Sequence, residues 1–87
     1  MNRYLVESTH TSEDCHHVME QFINYGHIIN FEWGCAAGVH TGWVMLEAEG
    51  ESQALLSVPP NLRSKARAIQ LVRFSPESIQ GHHISTE

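Results

Sequence analysis

Two histidines and two cysteines stand in mirrored pairs along this chain, His10-x4-Cys15 and Cys35-x4-His40. Two thiolates and two imidazoles make a competent tetrahedral set for zinc or another transition metal, and such a site would stiffen one end of a small domain. The spacing is not a strong signature, because paired zinc ligands usually stand about two to four positions apart on a knuckle or about five on a helix face. A second chemistry is open to the same residues. Cys15 falls near the start of a predicted helix, whose positive end lowers a thiol pKa, and His10 or His40 is placed to act as its base; Glu13 and Asp14 oppose that lowering. The most economical account needs neither: Cys15 is a small core residue, Cys35 fills a turn, and each histidine bonds locally. His16-His17 is set apart, since adjacent helical positions diverge by about 100° and cannot face one metal; both are expected on the solvated side.

Whether the four residues meet depends on the elements that carry them. Trp33 to Trp43 reads as a β-hairpin, with Gly34 and Gly38 bracketing a small-residue tip and Trp33, Val39 and Trp43 favouring pleated structure beside it. Cys35 and His40 then flank one turn. Upstream, Arg3 to Thr9 is rich in strand formers. Thr11-Ser-Glu-Asp14 resembles a capping box, and a helix is expected from there to a stop at Gly26, burying Cys15, Val18, Met19, Phe22 and Ile23. If Thr11 is the cap, His10 and Cys15 occupy the two positions that a hydrophobic staple joins.

Residues from His27 to Trp33 are expected as a second strand and those from Val39 to Glu49 as a third. On the third, His40, Gly42, Val44, Leu46 and Ala48 share the helix-packed face, where Gly42 leaves room for an imidazole. Gly50 to Val58 reads as a short helix stopped by Pro59-Pro60, Asn61 to Lys65 as a polar connector, and Ala66 to Phe74 as a fourth strand. Ser75-Pro76-Glu77 is expected to open a terminal helical turn. No repeat or linker interrupts the chain, so residues 1–87 form one domain.

The resulting order, βαββαβ, is the split arrangement called ferredoxin-like: an α+β fold with a four-stranded antiparallel sheet in the order 4-1-3-2 and both helices on one face. That threading brings His10, Cys15, Cys35 and His40 to the same end of the sheet and sends His27 to the other. Arg63 and Lys65 should lie at the same end as the four, as ligand-binding residues for an anionic substrate, although a solvated basic connector explains them more simply. The sheet face away from the helices would carry Trp43 and Met45, with Trp33 and Phe31 adding to an apolar aromatic patch. Such a patch marks an interface or a ligand cleft, and a homodimer with stacked sheets would cover it.

Composition narrows the partners. A formal charge of −5 on 87 residues, with only five Lys and Arg, argues against nucleic acid or an anionic membrane. The absence of a leader-like or membrane-length apolar run, together with just two cysteines, leads us to expect a cytoplasmic protein. His82-His83 near the end does not resemble a standard tag.

Tyr4-Leu-Val-Glu-Ser-Thr-His-Thr11, Trp33-Gly-Cys35, Gly38-Val-His-Thr-Gly42 and Val58-Pro-Pro-x-Leu-Arg-x-Lys-Ala-Arg67 together resemble a family of small uncharacterised bacterial proteins. The resemblance spans nearly the whole chain. It implies a ferredoxin-like fold similar to the dimeric α+β barrel group, which includes small monooxygenases, isomerases and stress-response proteins. It therefore carries architecture and a dimer, and no catalytic residue. The leading expectation is a homodimeric binding module with a Cys/His site. The alternatives are a small-substrate enzyme using Cys15 or a histidine, and a purely structural interaction module.

Overall fold

Every second residue of the first strand is buried: Tyr4, Val6 and Ser8 face the interior, and the intervening Arg3, Leu5 and Glu7 face the other way. This strand, β1 (Asn2–Thr9), is the centre of the fold in a computed structural model that describes residues 1–77, with Ile29 described by its backbone alone. It is followed by α1 (Cys15–Tyr25), β2 (Glu32–Trp33), β3 (Thr41–Ala48), α2 (Glu51–Ala54) and β4 (Ala66–Leu71). The four strands form one sheet in the order β2-β3-β1-β4, with every pairing antiparallel. This is the expected order read from the other edge. The class is α+β.

One face of the sheet holds the core. Val18 and Phe22 of α1, Ala54 of α2 and the following Val58 close over Tyr4, Val6 and Ala48. Phe22 is fully buried, with its ring edge-on to both Phe31 and Trp33 at 4.9 Å. Ile23, expected on the buried stripe, is 56% exposed. It lies one position beyond Phe22, which turns it about 100° off the stripe.

The expected second strand is mostly a turn. Gly26 ends α1 with φ 87°, donating its N–H to Phe22 and Ile23, and His27 bonds back to the same Phe22 carbonyl. The chain winds straight into a 3-10 turn over Ile28–Asn30, so only Glu32 and Trp33 pair with β3. Ile28 and Ile29 are adjacent rather than alternating, which gives a strand no single face to bury. The second helix is likewise compressed: α2 runs on as a 3-10 turn, Leu55–Ser57, and Pro60–Lys65 forms another 3-10 segment. β4 stops at Leu71, three residues short of Phe74. The expected C-terminal turn and the His82-His83 pair fall mainly or wholly outside the described residues.

The opposite sheet face is open among the described residues. Met45 is 59% exposed, flanked by Leu5 on β1, which itself pairs with Ile69 on β4. Around this apolar strip Glu7 pairs with Arg67, while an Arg3 terminal nitrogen lies 3.7 Å from Met45 Sδ. Arg67 Nε donates to Glu7 Oε1 at 2.7 Å, and Trp43 Nε1 donates to Glu7 Oε2 at 3.2 Å. These two donors hold the Glu7 carboxyl below its ordinary range, with burial working weakly against them. Trp33 and Phe31, expected to contribute to this patch, are turned inward against Phe22 instead. No helix among the described residues is long and apolar enough to cross a membrane.

Candidate metal centre

The β1–β3 register carries one step past the end of both strands. Thr9 faces Thr41, and His10 N–H donates to the His40 carbonyl at 3.0 Å, so the two histidines are cross-strand neighbours. By parity they share the helix side with Ser8 and Gly42, and their rings stand 5.5 Å apart. Cys15 enters from above as the first residue of α1. It is placed by a tight turn in which Thr11 accepts the Asp14 N–H through both its carbonyl, at 3.1 Å, and its side-chain oxygen, at 3.2 Å. The capping contact expected of Thr11 is therefore made, but the regular helix starts four residues later.

Cys35 is set by the hairpin tip. The tip is a 3-10 turn, Cys35–Ala37, closed by Gly38 N–H to the Cys35 carbonyl and Val39 N–H to the Gly34 carbonyl. Gly38 takes φ 85°, the left-handed value expected of it. Gly34 does not: its φ is −96°, and it is small for a different reason. A Cβ there would meet the Val39 carbonyl oxygen at 2.8 Å and the Trp43 ring at 3.0 Å.

The four donor atoms of His10, Cys15, Cys35 and His40 all lie within 4.8 Å of one another. Cys35 Sγ and His10 Nε2 are 3.5 Å apart. With Zn–S near 2.3 Å and Zn–N near 2.05 Å, a tetrahedral ion separates its sulfur and nitrogen ligands by about 3.5 Å. One edge of the set thus already has the length a bound ion requires. The group can hold a metal ion. All four residues are half-buried, and both cysteines are free thiols.

Electrostatics favour the ligating form of His10 and oppose that of Cys35. Burial, and then repulsion from His40, lower the His10 pKa, with Asp14 opposing; the neutral imidazole that results is the ligating form. Burial and the neighbouring Cys15 thiol push the Cys35 thiol up, so Cys35 keeps its proton until a cation stands beside it. The Nδ1 atoms of both His10 and His40 are buried and have no hydrogen-bond partner among the described residues.

Gly42 does provide space, though not directly for an imidazole. A Cβ on Gly42 would stand 2.5 Å from Trp33 Cζ3, so the glycine admits the indole, which lies 6.2 Å from the His10 ring and divides the cluster from the core. The same arrangement is repeated on the other face, where Trp43 covers Gly34. The Trp-Gly…Gly-Trp bracket around the hairpin is the sequence signal for this packing, and turn-based reasoning passes over it.

Of the remaining residues singled out from sequence, Lys65 lies at the same end of the sheet as the four, beside Thr9, while the Arg63 side chain does not. Arg63 is committed to the fold: its Nε bonds the Leu55 and Val58 carbonyls at 3.0 and 2.7 Å, and its other nitrogen reaches the Tyr25 hydroxyl at 2.8 Å. Tyr25 is the last residue of α1, about 15 Å along the helix axis from Cys15. The guanidinium is thus held by the carbonyls ending the second helical segment, one of which, that of Leu55, also accepts the Val58 N–H, and it lies away from the end expected for it. Lys65 accepts a hydrogen bond from Thr9 through its carbonyl and borders a shallow pocket of about 170 Å³ with Glu7 and Arg67. A larger cleft of about 370 Å³ lies between His27, Phe31, Ser57 and the Val44–Leu46 edge of β3, touching neither Arg63 nor the Cys/His group. His27 is held by the Ser57 carbonyl at 2.8 Å, and His16 lies on the surface beside Glu20. No family model matches the chain, and no curated protein or solved structure matches it significantly.

Proposed function

We propose that this protein is a zinc-binding module in which His10, Cys15, Cys35 and His40 coordinate the ion. The observation that carries the reading is the convergence of two thiol and two imidazole donors within 4.8 Å, drawn from three separate stretches of chain. The donor set fits zinc, since S2N2 tetrahedral sites select it over harder divalent ions. Four protein ligands leave no open position for substrate, so the role is structural: the ion ties the end of β1, the start of α1 and the hairpin tip together. Free cysteines are consistent with a reducing, cytoplasmic setting for this chemistry.

Metal analysis of untagged protein tests the reading. About one zinc per chain is expected, with loss of binding in Cys35→Ser and His40→Ala. Sub-stoichiometric metal in the wild type, or equal metal in the variants, overturns it. Cobalt substitution should yield the absorption of a tetrahedral thiolate site, and an octahedral spectrum would count against the assigned ligands.

We further propose a ferredoxin-like homodimer akin to the dimeric α+β barrel group, formed by stacking the open sheet faces. The exposed Met45 and the Leu5–Ile69 pair beside it support this. Glu7 and Arg67 on that face are already matched within one chain, so this pair does not oppose a second copy.

A further inference from the structure

We propose that Cys15 and Cys35 are a redox modification site as well as metal ligands, and that a hydroperoxide converts them to a disulfide which excludes the ion. This rests on the zinc assignment for its metal half and on the thiol pair alone for its covalent half. The two sulfurs lie within 4.8 Å of each other, each on a half-buried residue at the rim of the domain. A disulfide needs about 2.05 Å between them, so at most about 2.75 Å must be closed. Cys35 can supply that movement. It begins a three-residue turn held by glycines on both sides, and Ala36, Ala37 and Gly38 beside it are all exposed. Cys15, at the first position of α1, is the fixed partner.

The bound ion makes the pair reactive together, because coordination keeps both sulfurs as thiolates. One thiolate attacks the peroxide O–O bond, forming a sulfenic acid and releasing an alcohol or, from hydrogen peroxide, water. The second thiolate attacks that sulfur, forms the S–S bond and displaces hydroxide, which is protonated to water. Two electrons pass from the sulfurs to the oxygens, two protons are consumed from solvent, and the zinc leaves as the dication. His10 and His40 alone are two ligands, too few to retain it. Disulfide and metal are therefore alternative states of one site, and a thiol reductant restores the binding form.

The test is titration of zinc-loaded, full-length protein with hydrogen peroxide, reading released zinc with a chromogenic chelator, free thiols, and intact mass. Expected are one zinc released for every two thiols lost, a mass lower by two hydrogens on a single chain, and recovery of binding with dithiothreitol. Cys15→Ser and Cys35→Ser should each take up oxygen on the remaining sulfur and show no such mass loss. Thiol loss with zinc retained overturns the proposal, as does oxidation to oxygen adducts or to interchain disulfides only. The two readings fail separately. Zinc binding without a disulfide removes the redox proposal alone, whereas a disulfide in a protein that never binds zinc removes the metal assignment and the coupling with it.

Discussion

A buried ring nitrogen without a partner costs about 1–3 kcal/mol, and this centre contains two, on His10 and His40. An ion on His10 Nε2, the nitrogen that faces Cys35, leaves the Nδ1 of that ring as it is, so this cost falls on the fold with or without metal. The consequence is measurable in metal-free protein. The pKa of His10 is lowered in the fold, so the unfolded chain takes up the proton first; stability is full above the ordinary imidazole range and declines as pH falls through it toward the lowered value. Urea denaturation between about pH 8 and 5 should show this decline, and His10→Phe should reduce it. At pH 8 the variant should match wild type within ~1 kcal/mol, because an apolar replacement leaves no orphaned nitrogen at that position. A steeper pH dependence in the variant would contradict the account.

At the scale of elements, the centre depends on the cross-strand exchange of tryptophan and glycine between β2 and β3. Trp33 lies over Gly42 and against Phe22, and the hairpin tip carrying Cys35 follows directly from it. Gly42→Ala drives a methyl group into the indole, with contacts near 2.5 Å. Overpacking of this kind costs about 1–3 kcal/mol. The expected result is a lower denaturation midpoint together with weaker zinc binding, since displacing Trp33 moves Cys35 relative to His10. Gly38→Ala provides the contrast. Nothing stands within 4 Å of its added Cβ, so the cost is confined to the left-handed φ, about 1 kcal/mol. Equal losses in both variants would mean that backbone conformation, and not the indole, is what matters at Gly42.

For the whole molecule, the question is what covers the second face of the sheet. Among the described residues the core draws on one face, and eight hydrophobic residues are buried. That is a small reserve for a domain of this length, so a bound ion and a second copy would each add to it. Met45→Lys tests the stacking of sheets. At 59% exposure the side chain supplies little to the single chain, and its replacement should change monomer stability by no more than about 0.5 kcal/mol. Sedimentation at micromolar concentration should show a dimer for wild type and a monomer for the variant. A wild-type monomer removes the proposed interface.

Strand alternation and helical periodicity are local, which is why β1, α1, β3 and β4 could be read from residue order. The topology follows from their sequence, and with it the meeting of His10, Cys15, Cys35 and His40 at one end. Parity along β3 also told which way His40 faces. Other features depended on contacts that periodicity does not record. A 3-10 turn at Ile28–Asn30 stands where a strand was expected, and Phe31 after it packs on Phe22. Arg63 leaves its expected end because the carbonyls of Leu55 and Val58 and the Tyr25 hydroxyl draw its guanidinium away. The direction of Cys35 was settled by a turn whose geometry rests on backbone bonds to Gly34. Periodicity records which face a residue prefers; only packing decides what occupies that face.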